Sequence, residues 1–162
     1  MKEHSPVLFL ADAMVGRLGR WLRILGYDVT TFHRDSKQAN RSRNRIIEQA
    51  RSEKRLILTR DTYLLKRNNL PPHIFIKNDH PEEQFHQVLQ DLNMEPSASL
   101  SRCLDCNFSL KQISKGAVKK RVPPYVFQTQ SDFSQCPRCE KIYWEGTHVK
   151  RMIERIKQFQ TK

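Results

Sequence analysis

The chain predicts a mixed α/β fold: a parallel sheet flanked by helices, followed by a small cysteine-bearing unit and a C-terminal helix. Three observations predict it. Short apolar runs alternate with helix-period segments over residues 6–92, which is the pattern of βαβ units. Each run leads into an aspartate: Asp12, Asp35, Asp61 and Asp79. Beyond residue 101 the alternation gives way to two Cys-x-x-Cys pairs.

Residues 7–11 (Val-Leu-Phe-Leu-Ala) have the length and composition of a buried parallel strand, and the run stops at Asp12. Met14, Leu18, Trp21, Leu22 and Leu25 then recur at spacings of three and four, so they share one apolar helix face, which Gly26 closes. Arg17, Arg20 and Arg23 make a basic stripe on another face, beside Asp12, and are candidates to hold phosphate. Residues 28–32 form a β-branched second strand that runs into His33, Arg34 and Asp35. Residues 37–45 are polar and mostly cationic, and Ile46, Ile47 and Ala50 supply the apolar face of a second helix. Residues 56–59 are a third strand delivering Arg60 and Asp61, where Arg60 is a further phosphate candidate. A brief helix around Tyr63, Leu64 and Leu65 is broken by Asn68 to Pro72. Residues 74–76 are a fourth strand, and Pro81 opens a helix with Phe85, Val88, Leu89 and Leu92 on one side.

These elements make a domain over 6–93, with a small polar linker at 94–101. Residues 102–148 hold Cys103, Cys106, Cys136 and Cys139, a basic insert over 111–121 and a Pro123-Pro124 turn. Val149, Met152, Ile153, Ile156 and Phe159 form the stripe of an amphipathic helix over 149–160. In 162 residues there is room for one core and one accessory unit. No apolar run is long enough to span a membrane, and the first residues lack the plan of a secretory signal, so the chain reads as cytoplasmic and soluble. Lysine and arginine number 29 against 17 acidic residues, a net charge of +12, which is the footprint of a nucleic-acid binder.

Four thiolates in two tight pairs are the closed tetrahedral set of a structural zinc, and they leave no open position for a catalytic one. In a chain without an export signal, zinc is favoured over two disulfides. His148 is a spare ligand beside them, and Tyr143 and Trp144 read as packing residues. The strand-end aspartates have two accounts. Each alone serves to cap the next helix. Converging on one sheet edge, they would repel unless a cation neutralised them, and hard oxygen ligands suit Mg²⁺ or Mn²⁺. Such an ion beside a phosphodiester supports hydrolysis without a Ser, Cys or His nucleophile.

The segments Phe-Leu-Ala-Asp-Ala-Met-Val-Gly-Arg-Leu-Gly-Arg-Trp-Leu-Arg-Ile-Leu-Gly-Tyr-Asp, Leu-Ile-Leu-Thr-Arg-Asp, Cys-Leu-Asp-Cys-Asn and Cys-Pro-Arg-Cys-Glu-Lys-Ile-Tyr-Trp-Glu-Gly-Thr-His occur in that order. With them the chain resembles the Mut-seven C-terminal family, a PIN-like ribonuclease domain joined to a zinc ribbon. The resemblance implies a PIN-like α/β fold and a metal-dependent RNase, with Asp12 and Asp61 as Mg²⁺ or Mn²⁺ ligands, Asp79 or Asp35 completing the shell, RNA as substrate and the ribbon aiding RNA binding. Two departures stand out. Family members usually carry an acid just before the apolar run of the second helix, where this chain has Asn40, Arg41, Ser42, Arg43, Asn44 and Arg45. Either Glu48 or Asp35 substitutes, or the site is incomplete and the protein is a non-catalytic RNA- or ribosome-binding module. Glu140 also replaces the glycine common after the second cysteine pair.

Overall fold

A single strand, β1 (Phe9–Asp12), runs through the middle of the N-terminal sheet, and the surrounding elements are wound about it. The computed structural model describes residues 7–95, 100–146, 149–151, 153, 154 and 158. With β2 (Val29–Phe32), β3 (Leu56–Thr59) and β4 (His73–Phe75), β1 forms a sheet of order β2-β1-β3-β4 in which every pair is parallel. All four β1 residues are buried, as a central parallel strand covered on both faces requires. Phe9 pairs with Val29 on one side and Leu56 on the other, and Asp12 pairs with Phe32. Asp12 is therefore the last rung of the strand.

Helices cover both faces of this sheet. The helix expected from Met14 is split, with a 3₁₀ turn over Ala13–Val15 followed by α1 (Gly16–Ile24). The tighter turn rotates Met14 outward, 53% exposed, and brings Val15 into the core in its place. Gly19 faces the sheet so closely that an added Cβ would lie 3.3 Å from Ala11 Cβ. The helix closes as expected at Gly26, whose φ of 86° suits glycine; Tyr27 N–H bonds the Leu22 carbonyl at 3.1 Å and Gly26 N–H the Arg23 carbonyl at 2.9 Å. Trp21 packs edge-on against Phe85 of the fourth helix at 5.8 Å.

On the other face α2 (Ala39–Ser52) begins well before its apolar stripe, because the cationic stretch is itself helical. Leu10, Phe32, Ile46, Ile47, Ala50, Ile57 and Leu64 make one core cluster between that helix, α3 (Thr62–Leu65) and the sheet. α4 (Pro81–Asp91) starts on its proline and buries Phe85, Val88 and Leu89.

The chain divides into two units, Met1–Leu22 with Tyr27–Glu95 and Arg23–Gly26 with Pro96–Lys162. In the second, β5 (Lys111–Ile113), β6 (Phe133–Gln135) and β7 (Ile142–Tyr143) form an antiparallel sheet of order β5-β6-β7. The basic insert carries β5 and α5 (Lys115–Val118), and the Pro-Pro pair expected to make a turn instead starts α6 (Pro124–Thr129), where proline's fixed φ suits the first helical turn. Val118, Val122 and Phe133 make one core cluster of this unit, with Trp144 tilted against Phe133 at 6.4 Å, and Cys103, Cys136 and Tyr143 make another. Val149, Lys150, Arg151, Ile153, Glu154 and Gln158 are helical and Ile153 is buried; His148, Met152, Ile156 and Phe159 lie outside the described residues. Among the described residues no helix is long and apolar enough to cross a membrane.

Candidate functional site

Strand order decides where the acids meet. The connection leaving β1 runs to β2 on one side, and the chain then returns to place β3 on the other, so the carboxyl ends of β1 and β3 flank the topological switch point where open α/β sheets bind ligands. Asp12 ends β1 and Asp61 follows β3 by two residues; both are buried, 0% and 4% exposed. Each carboxylate caps the turn after it with one oxygen: Asp12 Oδ1 accepts Met14 N–H at 3.5 Å and Asp61 Oδ1 accepts Tyr63 N–H at 3.0 Å. Capping and convergence are thus both realised, through different oxygens.

The second oxygens converge on an arginine. Arg34 Nη2 donates to Asp12 Oδ2 at 2.7 Å and to Asp61 Oδ2 at 2.8 Å. Arg43, on α2, grips Asp61 from the other side, Nε to Oδ2 at 2.7 Å and Nη2 to Oδ1 at 3.3 Å. The Thr59 hydroxyl donates to Asp12 Oδ2 at 2.9 Å and accepts Asp61 N–H at 3.0 Å. Two carboxylates and two guanidinium groups make a neutral, fully bonded set, and among the described residues no buried side-chain nitrogen or oxygen lacks a partner. Burial alone pushes the Asp61 carboxyl up, but the Arg43 hydrogen bond, the Arg34 charge and the Tyr63 N–H outweigh it and hold Asp61 below the usual carboxylate range.

These residues do not fit a hard divalent cation. Such an ion wants several oxygen ligands, and a guanidinium bonded to those oxygens competes with it for them. Here the inward oxygens of both acids already face guanidinium, and among the described residues no third acid joins them. Asp35 is exposed and caps the 3₁₀ turn of residues 36–38 through Lys37 N–H at 2.9 Å. Asp79, its side chain 82% exposed, pairs with Arg60, and Glu48 is exposed on α2. Of the arginine stripe, Arg17 and Arg20 are exposed, whereas Arg23 is buried and donates Nη1 to the carbonyls of Leu104 at 2.5 Å and Asp105 at 3.3 Å, so it holds the second unit together. Arg34, Arg43 and Thr59 carry the site without having been singled out from sequence. The legible signal was an arginine where the second helix was expected to carry an acid.

The cysteines do fit a metal. Their four sulfurs lie within 4.8 Å of one another, the one such group of three or more His, Cys, Asp or Glu among the described residues. Cys103 and Cys139 Sγ are 3.7 Å apart, close to the edge of roughly 3.8 Å that a tetrahedron of Zn–S bonds of about 2.3 Å requires. Tyr143 hydroxyl sits 3.2 Å from Cys103 Sγ and accepts Leu104 N–H at 3.1 Å. Burial opposes ionisation of Cys103, but that hydroxyl and the N–H groups of Cys106 and Asp105 bring its thiol down to about 6. Cys106, hydrogen-bonded to Cys139 and crowded by the other sulfurs, is pushed up to about 12. Crowded sulfurs that resist a second negative charge are what a bound cation such as zinc relieves. Asn107 and Glu140 follow the two pairs at equivalent places with φ of 64° and 59°.

A parallel α/β domain with acids at its switch point, joined to a four-cysteine ribbon, is the architecture of a PIN-like protein with an appended metal knuckle. The Mut7-C RNAse domain model matches residues 7–156, and the chain belongs to that family. No curated protein and no solved structure matches it.

Arg34→Met leaves two buried carboxylates facing each other and should cost about 3 kcal/mol at neutral pH. Asp61's folded pKa is depressed, so the stability it contributes is present above the unfolded value of about 3.9 and is lost as pH falls below it. The gap between wild type and variant in urea denaturation should therefore narrow on acidification; a gap that is absent at neutral pH, or that widens in acid, contradicts the ion-pair lock. Glu140→Gly removes a left-handed strain while keeping the carbonyl that Arg121 and Gln135 bond at 2.9 and 3.1 Å. It should stabilise the zinc-loaded ribbon by about 1 kcal/mol, read as a raised Tm.

Proposed function

We propose that this protein is an RNA-binding member of the Mut7-C family whose strand-end site is closed by arginines and does not work through a divalent metal. The observation that carries the reading is the double donation of Arg34 Nη2 to Asp12 and Asp61, reinforced by Arg43. RNA as the partner is supported by the family's RNase domain and by the net charge of +12. Arg17 and Arg20, exposed on α1, supply phosphate contacts. Cys103, Cys106, Cys136 and Cys139 hold a structural zinc that keeps the ribbon folded.

A second reading, metal-dependent hydrolysis, is favoured by one observation: Asp12 Oδ2 and Asp61 Oδ2 point at a single nitrogen. The two separate in one experiment on the zinc-loaded protein. Anisotropy of labelled single-stranded RNA in buffer without added Mg²⁺ or Mn²⁺ should show binding whose log K falls linearly with log salt. Denaturing gels of the same mixtures with millimolar Mn²⁺ should show intact RNA. Cleavage that needs Mn²⁺ and disappears in Asp12→Asn would establish hydrolysis instead, and absence of binding at low salt would dismiss RNA as the ligand.

A further inference from the structure

We infer that Tyr63 is a nucleobase-stacking platform at the mouth of the strand-end site, so that single-stranded RNA is held there by a base face as well as by phosphates. This rests on the RNA-binding reading and names which part of the ligand meets the site. Tyr63 is 63% exposed, while the next residue, Leu64, is fully buried in the core. The ring therefore has no packing role inside the fold. The backbone that carries it is nonetheless fixed. Its backbone N–H is held by Asp61 Oδ1 at 3.0 Å, at the start of α3, where Asp61 caps the turn.

Two cations lie against the ring. Arg43 Cζ is 5.1 Å from its centroid and Lys66 Nζ is also 5.1 Å away. Arg43 is committed to Asp61 and donates to Asn40 Oδ1 at 3.3 Å, so it buttresses the ring. Lys66 is exposed, and its ammonium can turn from the ring to a phosphate oxygen while a base takes its place. A second exposed apolar side chain occupies the equivalent position after the other acid: Met14 follows Asp12 by two residues and is 53% exposed, as Tyr63 follows Asp61. Two of the five exposed large hydrophobic residues among those described thus sit two positions after the two acids that Arg34 ties together. An exposed aromatic ring with cations over it, one of them free to move to a phosphate, combines the stacking and the charge by which single strands are gripped without reading their sequence.

The test compares oligouridylate with an oligomer of equal length whose bases are replaced by abasic spacers, using zinc-loaded wild type, Tyr63→Leu and Tyr63→Phe. Wild type should bind the base-bearing oligomer roughly 10-fold tighter. Tyr63→Phe keeps the π-face and should keep that preference. Tyr63→Leu should lose it while binding the spacer oligomer as wild type does, which a merely structural role would not produce. Tyr63→Leu retaining the preference overturns the inference, as does equal weakening toward both oligomers or a wild type indifferent to bases. Should Tyr63→Leu fail to fold, Tyr63→Gln replaces it with the same expected loss of base preference, and a preference it retains overturns the inference. Binding without base preference sinks only the stacking role, whereas binding of neither oligomer removes the RNA reading with it.

Discussion

One guanidinium, Arg34, holds together the buried ends of two strands that would otherwise repel. Asp12 and Asp61 are both inside the protein, and like charges at such a place cannot coexist unless a cation sits between them. Arg34 supplies it from just beyond β2, and Arg43 supplies a second from α2. Desolvating four charges is costly, and what offsets it is complete hydrogen bonding: Thr59, Met14 N–H and Tyr63 N–H take up the remaining positions on the two acids. Because the same carboxylates cap the turns after β1 and β3, the electrostatic lock also sets the direction in which the chain leaves the sheet.

The lock inverts the chemistry of the switch point. A pocket of unpaired acids gathers a divalent cation, and the cation then acts on phosphate. Here the acids are spent on arginines, the pocket is neutral, and what it presents outward is an aromatic ring, a methionine and exposed lysine and arginine side chains. In the proposed RNA-binding reading, such a surface meets the backbone and bases of a single strand. The second unit carries a different candidate cation site, where four sulfurs too close to ionise together are tied by two knuckles, each turning through a left-handed residue.

Much of this was legible in the sequence. The apolar runs at 7–11, 56–59 and 74–76 announced parallel strands because buried strands leave little room for polar residues, though the last strand sits one residue earlier, at His73–Phe75, and Gly26 and Pro81 marked helix ends for local steric reasons. The paired cysteines announced their cluster by spacing alone. Local pattern was silent on what depends on distance. Asp12, Asp35, Asp61 and Asp79 look alike as strand-end acids, and only the order β2-β1-β3-β4 separates the buried pair from Asp35 and from Asp79, which faces solvent with Arg60. Arg23 belonged to a basic stripe by period, yet its last-turn position buries it against two carbonyls of the second unit. Arg43 lay in a stretch read as merely cationic, because nothing in the spacing shows that α2 brings it to Asp61.

The lock is tested most directly by titrating Mn²⁺ into the zinc-loaded protein and counting bound ions by electron paramagnetic resonance. With Arg34 and Arg43 on the two acids, no Mn²⁺ should bind at the strand ends in the sub-millimolar range. One Mn²⁺ per chain, lost on Asp12→Asn, would contradict it and show that the arginines yield to the metal.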